Sequence, residues 1–143
     1  MEVQLAHSAR QFAYFHGLTM LPLLREGDHV ETASVLAEDV RVGDVITYRF
    51  EDKFPTRRVI AIDRERRTLL IMGDSIRSRR EFAVPFDDVL ARVVRRRRDG
   101  VWMGRESLVW RLQTRRILVR EYTRRARWLA LPRGAWRAIR SLA

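Results

Sequence analysis

The sequence contains no cysteine. That excludes a disulfide framework, a zinc–thiolate centre and a cysteine nucleophile. No phosphate-binding glycine-rich loop, metal-ligand cluster or cofactor motif is visible, so neither a metal nor a cofactor is expected. No stretch of about 18 uncharged apolar residues occurs, which argues against a transmembrane helix. The opening residues, Met1 to His7, lack the basic stretch and apolar run of a signal peptide. A cytoplasmic location is therefore expected, with peripheral attachment to a membrane as the variant. Lysine is almost absent: Lys53 is the sole lysine among 29 basic residues.

What is present is a chain of 143 residues, 46% of them apolar, enough for a folded domain with a modest core. The net charge is +11, and it is unevenly placed. After residue 100, eleven arginines stand against Glu106 and Glu121, so that segment carries +9 of the total. All four tryptophans (Trp102, Trp110, Trp128 and Trp136) lie there too. The expected organisation is a near-neutral body at 1–99 and a basic, Trp-rich tail at 100–143.

The body reads as mainly β. Arg10–His16 is a short aromatic-rich strand, and His29–Thr32 begins another after the Gly27-Asp28 turn. Val45–Phe50 is strongly β-prone and follows Gly43-Asp44. Glu51–Pro55 connects to a return strand at Thr56–Ile62, and Thr68–Met72 runs into Gly73-Asp74. Val84-Pro85 leads to Asp87–Val94. Many short strands between turn signals predict a β-sandwich or barrel core. The arginine run Arg95–Arg98, within Val93–Gly100, reads as the boundary. From Arg105 onward, Leu108, Leu112, Val119, Tyr122, Ala126 and Leu129 recur at three- or four-residue steps, apart from a gap at Arg115, which predicts a helix. Pro132 and Gly134 break it, and Ala135–Leu142 is a second helical stretch with Trp136, Ile139 and Leu142 on one side.

Four boxes in order carry a family resemblance. The first is Gly17-x-Thr19-Met20-x-Pro22, with Arg25-x-Gly27-Asp28 behind it. The second is Val42-Gly43-Asp44-Val45-Ile46. The third is Arg57-Arg58-Val59-Ile60. The last is Ile71-Met72-Gly73-Asp74-Ser75, followed by Val84-Pro85, Asp88-Val89-Leu90 and Ala91-Arg92-Val93. Over roughly residues 10–95 this resembles the signal peptidase I and LexA-like serine peptidase clan, with its Gly-x-Ser-Met-x-Pro box.

The resemblance implies a peptidase-type β domain with two substitutions at the reacting groups. Thr19 stands where the nucleophilic serine is expected. Arg57 stands where a lysine or histidine base is expected. A general base must have a neutral form within hydrogen-bond reach of the hydroxyl. Arginine keeps its proton in proteins and offers only donors. Threonine can serve as a nucleophile, but its methyl restricts the rotamer. His16 and Lys53 are the alternative bases that the sequence offers. Asp74 matches the family's acidic residue, which the resemblance implies is a catalytic group that orients the base in histidine-type relatives; here pairing with Arg57 as a salt bridge is expected instead. Gly17, Met20 and Pro22 are the expected substrate-binding residues, with Met20 lining the apolar region.

The expected function is thus that of a signal-peptidase-like domain that binds extended leader or precursor peptides, with degenerate or strongly attenuated chemistry. An active endopeptidase with Thr19 as nucleophile is one alternative. A non-enzymatic module acting through the tail is another. Expected partners are a peptide or precursor protein, and an anionic membrane surface or partner protein through residues 105–143. Specific nucleic-acid binding is not expected, because the LexA side of the clan uses a separate helix-turn-helix domain that has no counterpart here.

Overall fold

The computed structural model describes residues 10–78 and 80–127. Among them are eight strands: β1 (Arg10–Tyr14), β2 (His29–Ser34), β3 (Val45–Tyr48), β4 (Thr56–Asp63), β5 (Thr68–Met72), β6 (Phe82–Pro85), β7 (Val89–Arg98) and β8 (Val101–Gly104). A helix, α1 (Leu108–Arg127), follows them. Every ladder is antiparallel, in the order β1-β2-β7-β3-β4-β5-β6. β8 shares one edge of β7 with β3: Val89–Arg92 meets β3, and Arg95–Arg98 meets β8. The fold is therefore mainly antiparallel β with a C-terminal helix. Among the described residues no helix is long and apolar enough to cross a membrane.

Alternation along the strands produces two cores. Neighbouring strand residues point to opposite faces. Ile46 packs with Tyr48, Val59, Leu69, Ile71 and Phe86 on one face. Val45, its neighbour, packs on the other with Phe15, Met20, Leu24, Val93 and Trp110. Two turns of identical design support this second core. In Arg25–Asp28 and in Arg41–Asp44, the aspartate carboxylate accepts the arginine N–H at 2.8 and 2.9 Å. The aspartate N–H returns a bond to the arginine carbonyl at 3.0 Å in both. Gly27 and Gly43 hold φ of 85° and 98°, a left-handed conformation that favours glycine.

One expectation needs correction here. The arginine run is not a boundary. Arg95–Arg98 completes β7, turns at Asp99-Gly100 and pairs with β8, so residue 100 divides a hairpin rather than two units. Three of its four arginines make structural contacts. Arg98 grips Asp28 at 2.7 and 2.9 Å, and Arg96 donates to the Leu23 carbonyl at 2.7 Å. Arg95 joins Arg10 on the buried Glu31 and lies over the Trp102 ring.

The helix expected after Arg105 is present. α1 is capped by Ser107, whose hydroxyl accepts the Trp110 N–H at 3.2 Å. Trp110, Ile117 and Glu121 are buried, and Thr114 packs on Gly43. Leu108, Leu112, Val119 and Tyr122 are more than half exposed. The apolar spacing was helical as read, but the buried stripe is the one carrying Trp110 and Ile117. Leu129 and the stretch Ala135–Leu142 lie outside the described residues.

Candidate functional site

Thr19 sits on a loop closed at its base and tied at its middle. The Phe15 N–H donates to the Asp28 carbonyl at 2.8 Å, and the Gly27 N–H donates to the Phe15 carbonyl at 2.9 Å. Arg96 and Arg98 hold the Leu23 carbonyl from β7. Gly17 adopts φ 112° as the chain leaves the core, and its N–H donates to the Glu26 carboxylate. That bond, followed by the one from His16, holds the Glu26 carboxyl below its ordinary value of 4.5.

Arg57 reaches this loop from β4. Its Nη1 donates to Thr19 Oγ1 at 3.0 Å and to the Thr56 carbonyl at 2.7 Å. Thr19 and Arg57 are thus in contact across 38 positions of sequence. Both are partly exposed, so both are accessible to a ligand. The hydroxyl faces a group that can only donate, so this contact offers no route for removing its proton. A guanidinium placed there is suited instead to bind a carbonyl or carboxylate oxygen.

The other expected residues are distributed differently. Asp74 does not pair with Arg57. Arg58 takes it in a bidentate bond, Nε to Oδ1 at 2.7 Å and Nη2 to Oδ2 at 2.6 Å, with both side chains fully buried. The cause is strand alternation: Arg57 and Arg58 point to opposite faces of β4. Arg58 Nη1 also donates to the Gly43 carbonyl at 2.8 Å and to Thr114 Oγ1 at 2.7 Å. His16 shares a 2.9 Å hydrogen bond with Glu26 on the surface. Lys53 is exposed at the hairpin tip, where its backbone pairs with Phe50. Met20 is corrected from substrate contact to core: it has no exposed surface. Pro22 is exposed on the loop, and Gly17 is half-buried.

The loop after β5 closes one side of the site. The Ser75 N–H donates to the Thr19 carbonyl at 3.0 Å, and the Gly73 N–H donates to Ser78 at 3.2 Å. A Cβ on Gly73 would lie 2.6 Å from the Thr19 carbonyl oxygen, so only glycine admits this approach. α1 braces the same loop: Arg124 bonds Glu81 at 2.8 Å, and Arg120 Nη1 lies 3.5 Å from the Asp74 carbonyl. Two exposed apolar side chains, Leu18 and Ile76, adjoin Thr19 and Ser75 respectively. Sequence reading missed both, since each stands alone without a pattern. It missed Arg58 as well, whose position beside Arg57 on an alternating strand was the available signal. Among the described residues no group of acidic or histidine side chains could hold a metal.

No family model matches the chain, and no curated protein or solved structure matches it either.

Proposed function

We propose that this chain is a signal-peptidase/LexA-like domain that binds extended leader or precursor peptides beside Thr19 and has lost, or nearly lost, the ability to cleave them. The observation that carries this reading is the Arg57–Thr19 hydrogen bond. The hydroxyl in the nucleophile position is met by a donor in the base position. Hydrolysis needs a proton acceptor there. Binding does not: Arg57 has further donors for a peptide carbonyl or a C-terminal carboxylate. Leu18 and Ile76 offer apolar contacts on the two segments that meet at Thr19. The order of the four boxes supports the family reading independently of the chemistry.

The test incubates a varied peptide pool with the wild-type protein and with Thr19→Ala, read by mass spectrometry. Peptides retained by the wild type are then titrated by fluorescence anisotropy against Thr19→Phe, which fills the space above the hydroxyl. No cleavage is expected from either protein. Thr19→Phe should weaken retained peptides by about tenfold, the scale of a central interface residue. Cleavage by the wild type alone would establish Thr19 as a nucleophile and overturn the binding-only reading. Binding unchanged by Thr19→Phe would move the peptide site elsewhere.

A further inference from the structure

The outward face of α1 has a composition that solvent alone does not explain. Leu108, Val109, Leu112, Val119 and Tyr122 are all more than half exposed, and helical spacing gathers them on the arc opposite Trp110, Ile117 and Glu121. Arg111, Arg115 and Arg116 are exposed on the same arc and make no ion pair with any described residue. The single carboxylate within the helix, Glu121, is buried on the inward side beside Arg124. The arc is therefore apolar and purely cationic.

Its edge borders a mainly apolar groove of about 420 Å³, lined by Val42, Val45, Leu118, Val119 and Tyr122 together with Arg105, Arg111 and Arg115. Asp44, the carboxylate in that lining, is already paired with Arg92 at 3.2 Å and Arg105 at 3.6 Å.

We infer that this face docks on an anionic lipid bilayer. The helix lies in the headgroup layer with Leu108, Leu112, Val119 and Tyr122 below the phosphates and Arg111, Arg115 and Arg116 level with them. The charge pattern selects this occupant. A second copy, meeting face to face about a two-fold axis, would set the same arginines against themselves. Nucleic acid would use the arginines but leave five aliphatic and aromatic side chains without a counterpart, since such interfaces are polar. Anionic lipid supplies both an apolar layer and phosphate, and long arginine stems span the boundary between them. The inference does not depend on what binds at Thr19.

The test is flotation of the full chain with phosphatidylcholine vesicles, with and without phosphatidylglycerol. Flotation is expected only with the anionic lipid. Leu112→Glu with Val119→Glu should reduce it at least tenfold, while the thermal melt followed by circular dichroism stays in place. Arg111→Gln, Arg115→Gln and Arg116→Gln together should cost on the order of a hundredfold, at about fivefold per basic residue near an anionic surface.

A labelling measurement covers the case in which the glutamate pair misfolds. The chain has no cysteine, so Val119→Cys takes a single environment-sensitive dye. Its emission should shift to the blue with anionic vesicles, whereas a dye at Glu65→Cys, on an exposed turn far from α1 in sequence, should not move. Absence of flotation with anionic vesicles overturns the inference. So does flotation that survives the glutamate pair, which would place the lipid contact elsewhere in the chain. A wild-type dimer that the glutamate pair dissociates, with no vesicle binding, overturns it in favour of self-association.

Discussion

Asp74→Ala is expected to destabilise this protein severely, although Asp74 occupies a position that the family resemblance would assign to catalysis. Arg58 has no exposed surface, and Asp74 supplies two of its four hydrogen bonds. Removing the carboxylate leaves a buried guanidinium without its counter-charge, a loss of about 3–5 kcal/mol. Domains of this kind have roughly 5–15 kcal/mol in total, so the variant would approach its unfolding threshold. At about 3 °C per kcal/mol for a chain of this size, the melting temperature should fall by roughly 10–15 °C. Urea titration followed by far-ultraviolet circular dichroism measures the change. Arg58→Met with Asp74→Leu removes both charges and should recover most of the loss, because apolar replacement of a buried pair is often neutral or better. The two single variants and the double variant close a cycle that isolates the pair. A loss below about 1 kcal/mol for Asp74→Ala would refute the reasoning. A double variant as unstable as the single one would refute the desolvation argument specifically.

Gly73→Ala should cost about 1–3 kcal/mol, because its Cβ would fall 2.6 Å from the Thr19 carbonyl oxygen and 2.7 Å from Ser78 Cβ; a thermal melt checks it, and an unchanged midpoint would contradict the contact. Acid should weaken the fold through Asp28 and Glu31. Burial alone would raise both carboxyls, but Arg98 with the Arg25 N–H, and Arg10 with Arg95, more than offset it and hold them below their ordinary 3.8 and 4.5. Their contribution is therefore complete above those values and is lost as pH falls through the lowered folded-state values. Urea midpoints should stay level near neutrality and drop below about pH 4, and Glu31→Gln should flatten that drop.

The strands were legible because they alternate and their turns are spelled out. Val45–Tyr48 is a β-branched and aromatic run behind Gly43-Asp44, and Thr68–Met72 is another ahead of Gly73. The β8 hairpin was missed although Asp99-Gly100 is a hairpin signal. Four successive arginines looked like solvated linker, and nothing local reveals that Asp28, Glu31 and the Leu23 carbonyl await them from distant segments. The helix was legible from its spacing, but which side packs on the sheet was not, because the buried stripe includes Glu121 and lies beside Thr114. Arg58 bonds the Thr114 hydroxyl, and Arg124 pairs with Oε2 of Glu121. At the site, the pairing of Thr19 with Arg57 followed the order of the boxes. The partner of Asp74 depended on a one-residue distinction, Arg57 or Arg58, which strand alternation decides.

The tying of the Thr19 loop has a kinetic consequence. Its ends are joined by backbone bonds between Phe15 and Gly27-Asp28, and β7 holds its centre at Leu23. A loop already held this way has little freedom left to surrender when a ligand arrives, so association avoids most of the ordering cost that mobile loops carry. Binding at Thr19 should then proceed in a single phase at a rate set by encounter, with differences among ligands expressed in how slowly they leave.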